Sequence, residues 1–259
     1  MASWTVVTGA SSGIGADFAR IAAKENRRVV ISARRKDRLE ALATELTELG
    51  APEVEIVEAD LAVAGAADTL WAAAVAKGPV DVLVNNAGLG SHDPFASAEW
   101  AREEMMLEVN ITALTRLMKL AVPQMLEAGE GRIINVASIA GFMPGPGMAA
   151  YHATKAYVVS LSDAVGHELK GTKVTVTALC PGATQSEFFT SADMTDVRMI
   201  NSMKLPTAMS VAKAGWDGAK AGKRVVIPGA LNWLTAQMPR IVPKVWMMSS
   251  IETLMSKSS

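Results

Sequence analysis

The sequence predicts an α/β fold, with a doubly wound, seven-stranded parallel sheet flanked by helices on both faces. Three observations support this prediction. Short runs rich in β-branched residues alternate with longer Ala-rich stretches. Several of these runs are apolar throughout instead of alternating, which is typical of strands covered on both faces. The connections between them are short, as expected for right-handed βαβ units.

The first half of the chain contains four such units. The predicted strands are WTVVT (4–8), RVVIS (28–32), EVEIV (53–57) and VDVLVN (80–85). Each is rich in β-branched residues, which favour extended backbone. The predicted helices that follow them occupy residues 13–26, 36–49, 61–77 and 99–128.

The second half repeats the order three more times. The predicted strands are GRIINVA (131–137), KVTVTALC (173–180) and RVVIP (224–228), and the helices between them occupy 149–169 and 207–221. No linker rich in Pro, Ser or charge divides the chain. Residues 1–259 are therefore predicted to form a single domain.

Two segments depart from this alternation. Residues 182–206 form a long connection after the sixth strand, and a loop of this length is usually functional, often a lid over a substrate site. Residues 229–259 form an apolar tail that contains Trp233 and Trp246 and is interrupted by two prolines. This tail could pack on its own domain, cover the pocket, form a subunit interface or contact a membrane.

Composition excludes several classes of function. The net charge is −1, so no basic surface is expected for nucleic acid. A single cysteine, Cys180, and three scattered histidines indicate neither a disulfide framework nor a metal site. The chain begins with a segment too short and polar for a secretory signal, and no apolar run reaches the roughly 18 residues of a spanning helix. We expect a soluble, cytoplasmic protein.

A glycine-rich turn, TGASSGIG (8–15), connects the first strand to the first helix. Gly9 permits a tight exit from the strand, Gly13 allows a pyrophosphate to approach the backbone, and Gly15 allows close packing of helix on sheet. The N–H groups at the helix start then face the phosphates. The spacing differs from the more familiar G-x-G-x-x-G, but its position between strand and helix predicts a dinucleotide site.

The end of the second strand indicates which nicotinamide cofactor is preferred. An acidic residue there would bind the ribose 2′-hydroxyl and repel a 2′-phosphate. The chain instead carries Ala33, Arg34 and Arg35, with Asp37 nearby. Guanidinium groups pair well with phosphate, so the sequence favours NADP(H), with NAD(H) as the alternative.

The only two tyrosines, Tyr151 and Tyr157, lie in one stretch, AAYHATKAYVVSL. Tyr151 stands four residues before Lys155, so both side chains lie on one helical face. An ammonium group close to a phenol in a pocket poor in water would lower the phenol's pKa from about 10. Tyr151 could then donate a proton to a carbonyl oxygen, or remove it in the reverse reaction.

Two further polar residues fit this chemistry. Ser138 follows the fifth strand at the sheet edge where ligands bind, and its hydroxyl could hydrogen-bond a substrate oxygen. Asn110 lies within a predicted apolar helix, where an unsatisfied amide would be unfavourable. Asn110 is either a structural hydrogen-bonding residue or part of a polar relay.

These motifs together resemble the short-chain dehydrogenase/reductase family, in its branch of roughly 250 residues. TGASSGIG, NNAG (85–88), Asn110, Ser138, YHATK (151–155) and PG (181–182) occur in order at compatible spacing. The resemblance covers residues 4 to 228 and implies a Rossmann-type dinucleotide fold.

The resemblance also implies a role for each matching residue. Tyr151 would be the catalytic acid/base, Lys155 would lower its pKa and hold the nicotinamide ribose, Ser138 would orient the carbonyl, and Asn110 would fix a water near Lys155. The cofactor-binding set would be Gly9, Ser11, Ser12, Gly13, Ile14, Gly15, Arg34, Arg35, Asp60, Leu61, Asn86, Ala87, Gly88, Tyr151, Lys155, Pro181, Gly182, Thr184 and Ser186. Whether Thr184 or Ser186 binds the carboxamide stays open.

The function that follows is hydride transfer between NADP(H) and a carbonyl or secondary alcohol. Residues expected to line the substrate pocket are mostly apolar, which suggests a hydrophobic ketone or aldehyde. They are Leu89, His92, Phe95, Ile139, Phe142, Met143, Phe188, Phe189 and Met194. The alternative is a non-enzymatic NADP-binding sensor or scaffold on the same fold. The family resemblance also implies a homodimer or homotetramer.

Overall fold

The computed structural model describes residues 3–192 and 205–255. Of the predicted pocket residues, Met194 lies outside this part of the chain, as does much of the segment 182–206.

The sheet has seven parallel strands in the order β3-β2-β1-β4-β5-β6-β7. They are β1 (Trp4–Thr8), β2 (Arg28–Ala33), β3 (Val54–Glu58), β4 (Val80–Asn85), β5 (Gly131–Val136), β6 (Val174–Leu179) and β7 (Val225–Val226). The first six agree with the predicted strands to within one residue at either end. The strand order reverses between β1 and β4, and crevices at such a point bind ligands in doubly wound sheets.

Helices cover both faces of the sheet. They are α1 (Gly13–Lys24), α2 (Lys36–Glu48), α3 (Ala66–Lys77), α4 (Trp100–Leu107), α5 (Leu114–Ala128), α6 (Ala149–Glu168), α7 (Phe188–Ser191), α8 (Ala208–Lys220), α9 (Ala230–Gln237) and α10 (Lys244–Met255). A π-helical segment, Glu108–Ala113, separates α4 from α5 within the stretch predicted as one helix. Short 3-10 helices span Ile139–Phe142 and Met238–Arg240.

Two apolar layers form the core, one on each face of the sheet. Alternate residues of β4 illustrate the division, because Leu83 joins one layer while Val82 and Val84 join the other. The first layer includes side chains of α3, α5 and α6, and the second includes side chains of α1, α2 and α8. Both faces of the central strands are therefore buried, as their continuous apolar sequence predicted.

The tail after β7 contributes to the domain in two ways. Ala236 of α9 and both Met247 and Ile251 of α10 are buried. Other large apolar side chains of the same segment are exposed, namely Leu231, Trp233, Leu234, Met238, Ile241 and Trp246. The tail thus packs on its own domain and also presents an apolar outer surface. In the part of the chain that the structure describes, no helix is long and apolar enough to cross a membrane.

Candidate active site

The glycine turn and the NNAG motif meet where the strand order reverses. β1 pairs with β4, so the residues that follow Thr8 and Asn85 are neighbours. The Thr8 hydroxyl oxygen accepts hydrogen bonds from the backbone N–H groups of Asn86 and Ala87, both at 3.0 Å. The Asn86 side-chain amide donates to the carbonyl oxygens of Thr8 and Gly9. Asn86 therefore holds the glycine turn in place.

Two glycines of the turn are required by geometry. Gly9 has φ +63°, and a Cβ there would lie 2.8 Å from Ala87 Cα. A Cβ on Gly15 would lie 2.4 Å from both the Asn86 amide nitrogen and the Gly9 carbonyl oxygen. Gly15 therefore has the packing role expected from the sequence and does not line the cavity described below.

The start of α1 has the features of a phosphate site. Ser12 is the N-cap residue, and its side chain makes no capping hydrogen bond to the helix. The N–H groups of the first turn are thus not satisfied by that side chain, and the helix dipole favours an anion there. Because Ser11, Ser12, Gly13 and Ile14 all line the cavity, this region fits the diphosphate of a dinucleotide.

A cavity of about 450 Å³ extends from the glycine turn to Tyr151. It brings together residues from the carboxyl ends of β1, β2, β4, β5 and β6. All the predicted cofactor and catalytic residues line this cavity except Gly15 and Asn110. Its size and mixed lining are typical of a site for a small-molecule ligand.

Tyr151 is buried near the start of α6, next to Ser138. A hydrogen bond from Ser138 lowers the pKa of the Tyr151 phenol, but burial has the larger effect and raises this pKa to about 12. Burial raises this pKa because the phenolate loses its hydration. The Lys155 Nζ lies 5.8 Å from the centre of the Tyr151 ring, and its effect on the phenol stays a prediction.

Lys155 is buried one turn further along α6. Its Nζ donates a hydrogen bond of 2.9 Å to the Val136 carbonyl oxygen at the end of β5. Burial lowers the pKa of Lys155 to about 8, because the charged form loses its hydration. A Cβ on Gly88 would lie 3.4 Å from this nitrogen, so the NNAG loop passes directly over the ammonium group.

Asn110 lies in the π-helical segment, behind the cavity wall. Its side-chain oxygen accepts from the Leu89 N–H, and its amide nitrogen donates to the Leu89 carbonyl and to the Thr154 hydroxyl oxygen, at 2.9 to 3.0 Å. These hydrogen bonds support a structural role for Asn110, and its place in a polar relay stays a prediction. Asn110 joins the loop after β4 to helix α6.

Ser138 and the PG motif lie on adjacent strand ends. The Ser138 hydroxyl accepts from the Ala140 N–H at 3.1 Å and lies 3.4 Å from the Pro181 carbonyl oxygen, to which it donates. Thr184 donates to the Gly182 carbonyl oxygen, and Ser186 donates to that of Thr184. Thr184 and Ser186 both line the cavity, so both remain candidates for the carboxamide contact.

The two arginines predicted to bind a 2′-phosphate both line the cavity, but they differ in their surroundings. Arg34 is exposed. Arg35 donates hydrogen bonds to the hydroxyl oxygens of Ser11 and Ser12 in the glycine turn. It also forms an ion pair of 2.8 Å with Glu187. No local sequence signal predicts this contact, because Glu187 lies 152 residues from Arg35 in the chain.

The substrate side of the cavity differs in part from the predicted set. Leu89, Ile139, Met143, Phe188 and Phe189 line it, whereas His92, Phe95 and Phe142 do not. Phe95 is instead 73% exposed, and Phe142 packs against the apolar layer of α3, α5 and α6. The sequence places these residues in loops that follow the motifs, but it does not determine whether their side chains point toward the cavity. Lining residues without a sequence signal include Met148, His152, Thr235 and Ile251.

Comparison with known proteins agrees with this geometry. The sequence model of the short chain dehydrogenase family matches residues 3–196. A putative ketoacyl reductase of Streptomyces coelicolor is 42% identical over 182 residues, which cover 68% of this chain and 69% of that protein.

Two solved structures extend the likeness to the fold. A short-chain dehydrogenase from Sphingobium yanoikuyae in complex with NADPH has a TM-score of 0.83 at 30% identity, covering 99% of this chain and 98% of that one. A 3-ketoacyl-(acyl-carrier-protein) reductase from Brucella melitensis complexed with NADH has a TM-score of 0.76 at 30% identity, covering 87% and 96%. The chain therefore belongs to the short-chain dehydrogenase/reductase family of oxidoreductases.

Proposed function

We propose that this protein is an NADP(H)-dependent oxidoreductase that transfers a hydride between the nicotinamide and a hydrophobic ketone, aldehyde or secondary alcohol. One observation carries the proposal. A single cavity has an anion-binding helix start and two arginines at one end, and Ser138, Tyr151 and Lys155 at the other. When bound, the nicotinamide supplies or accepts the hydride. The protein must then bind the substrate oxygen and move one proton.

Tyr151 is the residue proposed to move that proton. At neutral pH its phenol is protonated, since burial raises its pKa to about 12, so it can donate to a carbonyl oxygen during reduction. The Ser138 hydroxyl, beside it, can donate to the same oxygen and stabilise the developing negative charge. In the reverse direction the phenolate must form, and a charged Lys155 would stabilise it.

The preference for NADP(H) rests on charge. Arg34 and Arg35 line the cavity at the end of β2, where family members that use NAD(H) would be expected to carry an acid. The relatives do not decide the question, because one of the two solved structures reported above holds NADPH and the other NADH.

The substrate class follows from the lining and from the relatives. Leu89, Ile139, Met143, Phe188 and Phe189 form an apolar wall near Tyr151. Such a wall favours an acyl chain or a ring over a small polar ketone. The ketoacyl reductases among the relatives support a 3-oxoacyl thioester as the first substrate to test.

The test is NADPH consumption by the purified protein against aliphatic, aromatic, steroid-like and acyl-thioester ketones. Tyr151→Phe should keep NADPH binding and lose turnover by about 10² to 10⁴-fold, as expected for loss of a general acid. Tyr157→Phe is the matched control, since Tyr157 is 38% exposed on the same helix and its hydroxyl is hydrogen-bonded to Thr115. It should behave as the wild type.

Two results would contradict the proposal. Equal turnover by the wild type and Tyr151→Phe would remove Tyr151 as the acid/base. Tight NADPH binding with no turnover of any compound would favour the sensor or scaffold alternative, in which the fold binds the cofactor without catalysis.

A further inference from the structure

Glu187 is held by two arginines at the edge of the cofactor cavity. One carboxylate oxygen is 2.8 Å from Nη1 of Arg35, and the other is 2.5 Å from Nη1 of Arg38. Glu187 follows β6, whereas both arginines follow β2. The contact therefore joins the loop that begins the predicted lid to the region where the 2′-phosphate is expected.

Arg35 connects Glu187 to the glycine turn. Its Nε and Nη2 bond to the hydroxyl oxygens of Ser11 and Ser12, and its Nη1 bonds to Glu187. Arg35, Ser11, Ser12 and Glu187 all line the cavity, whereas Arg38 lies outside its wall and approaches the carboxylate from α2. One of the two guanidinium groups proposed to bind a cofactor phosphate is thus already paired with an anion.

The pairing favours a charged carboxylate. Hydrogen bonds from Arg38 and then Arg35 lower the pKa of Glu187 to about 2, so the group is ionised at neutral pH. All three side chains are between 41% and 50% exposed, and exposed ion pairs of this kind are weak. A weak pair can be displaced by a ligand of the same sign of charge that binds the arginine more strongly.

We propose that Glu187 competes with the cofactor 2′-phosphate for Arg35 and so sets the affinity for NADP(H) relative to NAD(H). This inference rests on the proposed function, in which the cavity binds a nicotinamide cofactor. A phosphate monoester carries a charge of about −1.5 to −2 at neutral pH and has three acceptor oxygens, so it can replace a carboxylate of charge −1. NAD(H), with no 2′-phosphate, leaves the Arg35–Glu187 pair intact.

Displacement of Glu187 would also reach the substrate side. The next residue, Phe188, begins α7, and its ring centre lies 5.5 Å from that of Tyr151. A Cβ on Gly90 would lie 2.5 Å from the Phe188 ring, so this ring is closely packed between the loop after β4 and the catalytic tyrosine. When NADP(H) displaces the Glu187 carboxylate, the effect therefore reaches Phe188, a residue of the substrate wall.

The test measures cofactor binding without any substrate. Dissociation constants for NADPH and NADH are determined by calorimetry for the wild type, Glu187→Gln and Glu48→Gln. Glu48 is an exposed residue of α2, so the last variant controls for the loss of one negative charge. Glu187→Gln should tighten NADPH binding up to about fivefold, the order expected when one partly exposed ion pair worth up to about 1 kcal/mol no longer has to be broken. NADH binding should change by less than about twofold.

A second variant identifies Arg35 as the contested group. In an Arg35→Gln background, Glu187→Gln should no longer affect NADPH binding, because the two substitutions remove the same interaction. An undiminished gain in that background would overturn the assignment of Arg35.

Other outcomes contradict the proposal in distinct ways. Weaker NADPH binding by Glu187→Gln would show that Glu187 positions Arg35 for the phosphate instead of competing with it. Equal tightening of NADPH and NADH, or no change in either, would show that the carboxylate does not discriminate between the cofactors. A wild type that binds neither cofactor would refute the proposed function itself, whereas each preceding result refutes only the role of Glu187.

Discussion

At the scale of single residues, the positions of Tyr151 and Lys155 in the cavity were easier to predict than their ionisation. The spacing of Tyr151 and Lys155 places them on one helical face, and any four-residue spacing on a helix does so. Their pKa values depend on burial, which comes from elements far away in the chain. Burial raises the pKa of Tyr151 to about 12 and lowers that of Lys155 to about 8. Both shifts have the same cause, because burial removes each side chain from water and so favours its neutral form.

The shifted pKa of Lys155 predicts how stability depends on pH. The folded pKa is about 8, below the ordinary lysine value of 10.5. Between these values the unfolded chain binds a proton that the folded protein does not, so the free energy of unfolding contributed by Lys155 rises with pH. Going down in pH, this contribution is lost as the pH falls through about 8. From pH 7.5 to 10 the gain relative to Lys155→Met should be roughly 2 to 3 kcal/mol.

Urea unfolding at pH 7.5 and 10 measures this effect. Cys180 and Tyr151 are buried nearby and are present in both proteins. Most of their contribution to the pH dependence therefore cancels when the wild type is compared with Lys155→Met. Lys119→Met, at an exposed position of α5, is the control for the replacement of a lysine by methionine. A Lys155→Met difference that is independent of pH would show that Lys155 keeps an ordinary pKa in the folded protein.

At the scale of secondary-structure elements, the π-helical segment is the main departure from the prediction. Residues 99–128 were predicted as one helix, but Glu108–Ala113 adopts π geometry between α4 and α5. A π segment widens the helix locally, and it leaves no clear mark on an apolar pattern of helical period. This segment carries Asn110, whose three hydrogen bonds join Leu89 and Thr154.

Asn110→Ala should therefore destabilise the fold as well as the site. The substitution leaves the N–H and carbonyl groups of Leu89 and the hydroxyl of Thr154 without these partners, and each buried group left unsatisfied costs about 1 to 3 kcal/mol. We expect a loss of at least about 2 kcal/mol in unfolding free energy, together with reduced turnover. Urea unfolding and steady-state kinetics on the same samples measure both quantities.

Asn232→Ala is the comparison for this variant. Asn232 donates one side-chain hydrogen bond to a main-chain carbonyl, that of Pro228, so its removal should cost about 1 kcal/mol. If Asn110→Ala loses turnover at unchanged stability, Asn110 acts in a polar relay and the structural role assigned above is wrong.

At the scale of the whole molecule, the local sequence pattern was sufficient to predict the sheet, but it did not predict the long-range contacts or the role of the tail. Alternating strands and helices impose right-handed crossovers, and these lead to a parallel sheet with its ligand edge at the carboxyl ends. Contacts between segments distant in sequence have no local signal, as the Arg35–Glu187 pair illustrates. The same is true of the tail, where Thr235 and Ile251 line the cavity although the sequence left its role open among four alternatives.

The tail position leads to a prediction about substrate binding. Ile251 of α10 is 8% exposed and lines the cavity, whereas Ile241, ten residues earlier in the same tail, is 83% exposed. Ile251→Ala removes apolar contact from the cavity wall, and loss of such contacts is worth about 1 to 2 kcal/mol. We expect KM for a hydrophobic ketone to rise roughly 5- to 30-fold, with the NADPH dissociation constant unchanged. Ile241→Ala makes the same chemical change on the outer surface and should leave both constants as in the wild type. An Ile251→Ala variant that binds NADPH more weakly at an unaltered KM would assign this part of the wall to the cofactor. Equal effects of Ile251→Ala and Ile241→Ala would mean that the tail does not contribute a specific contact to the cavity.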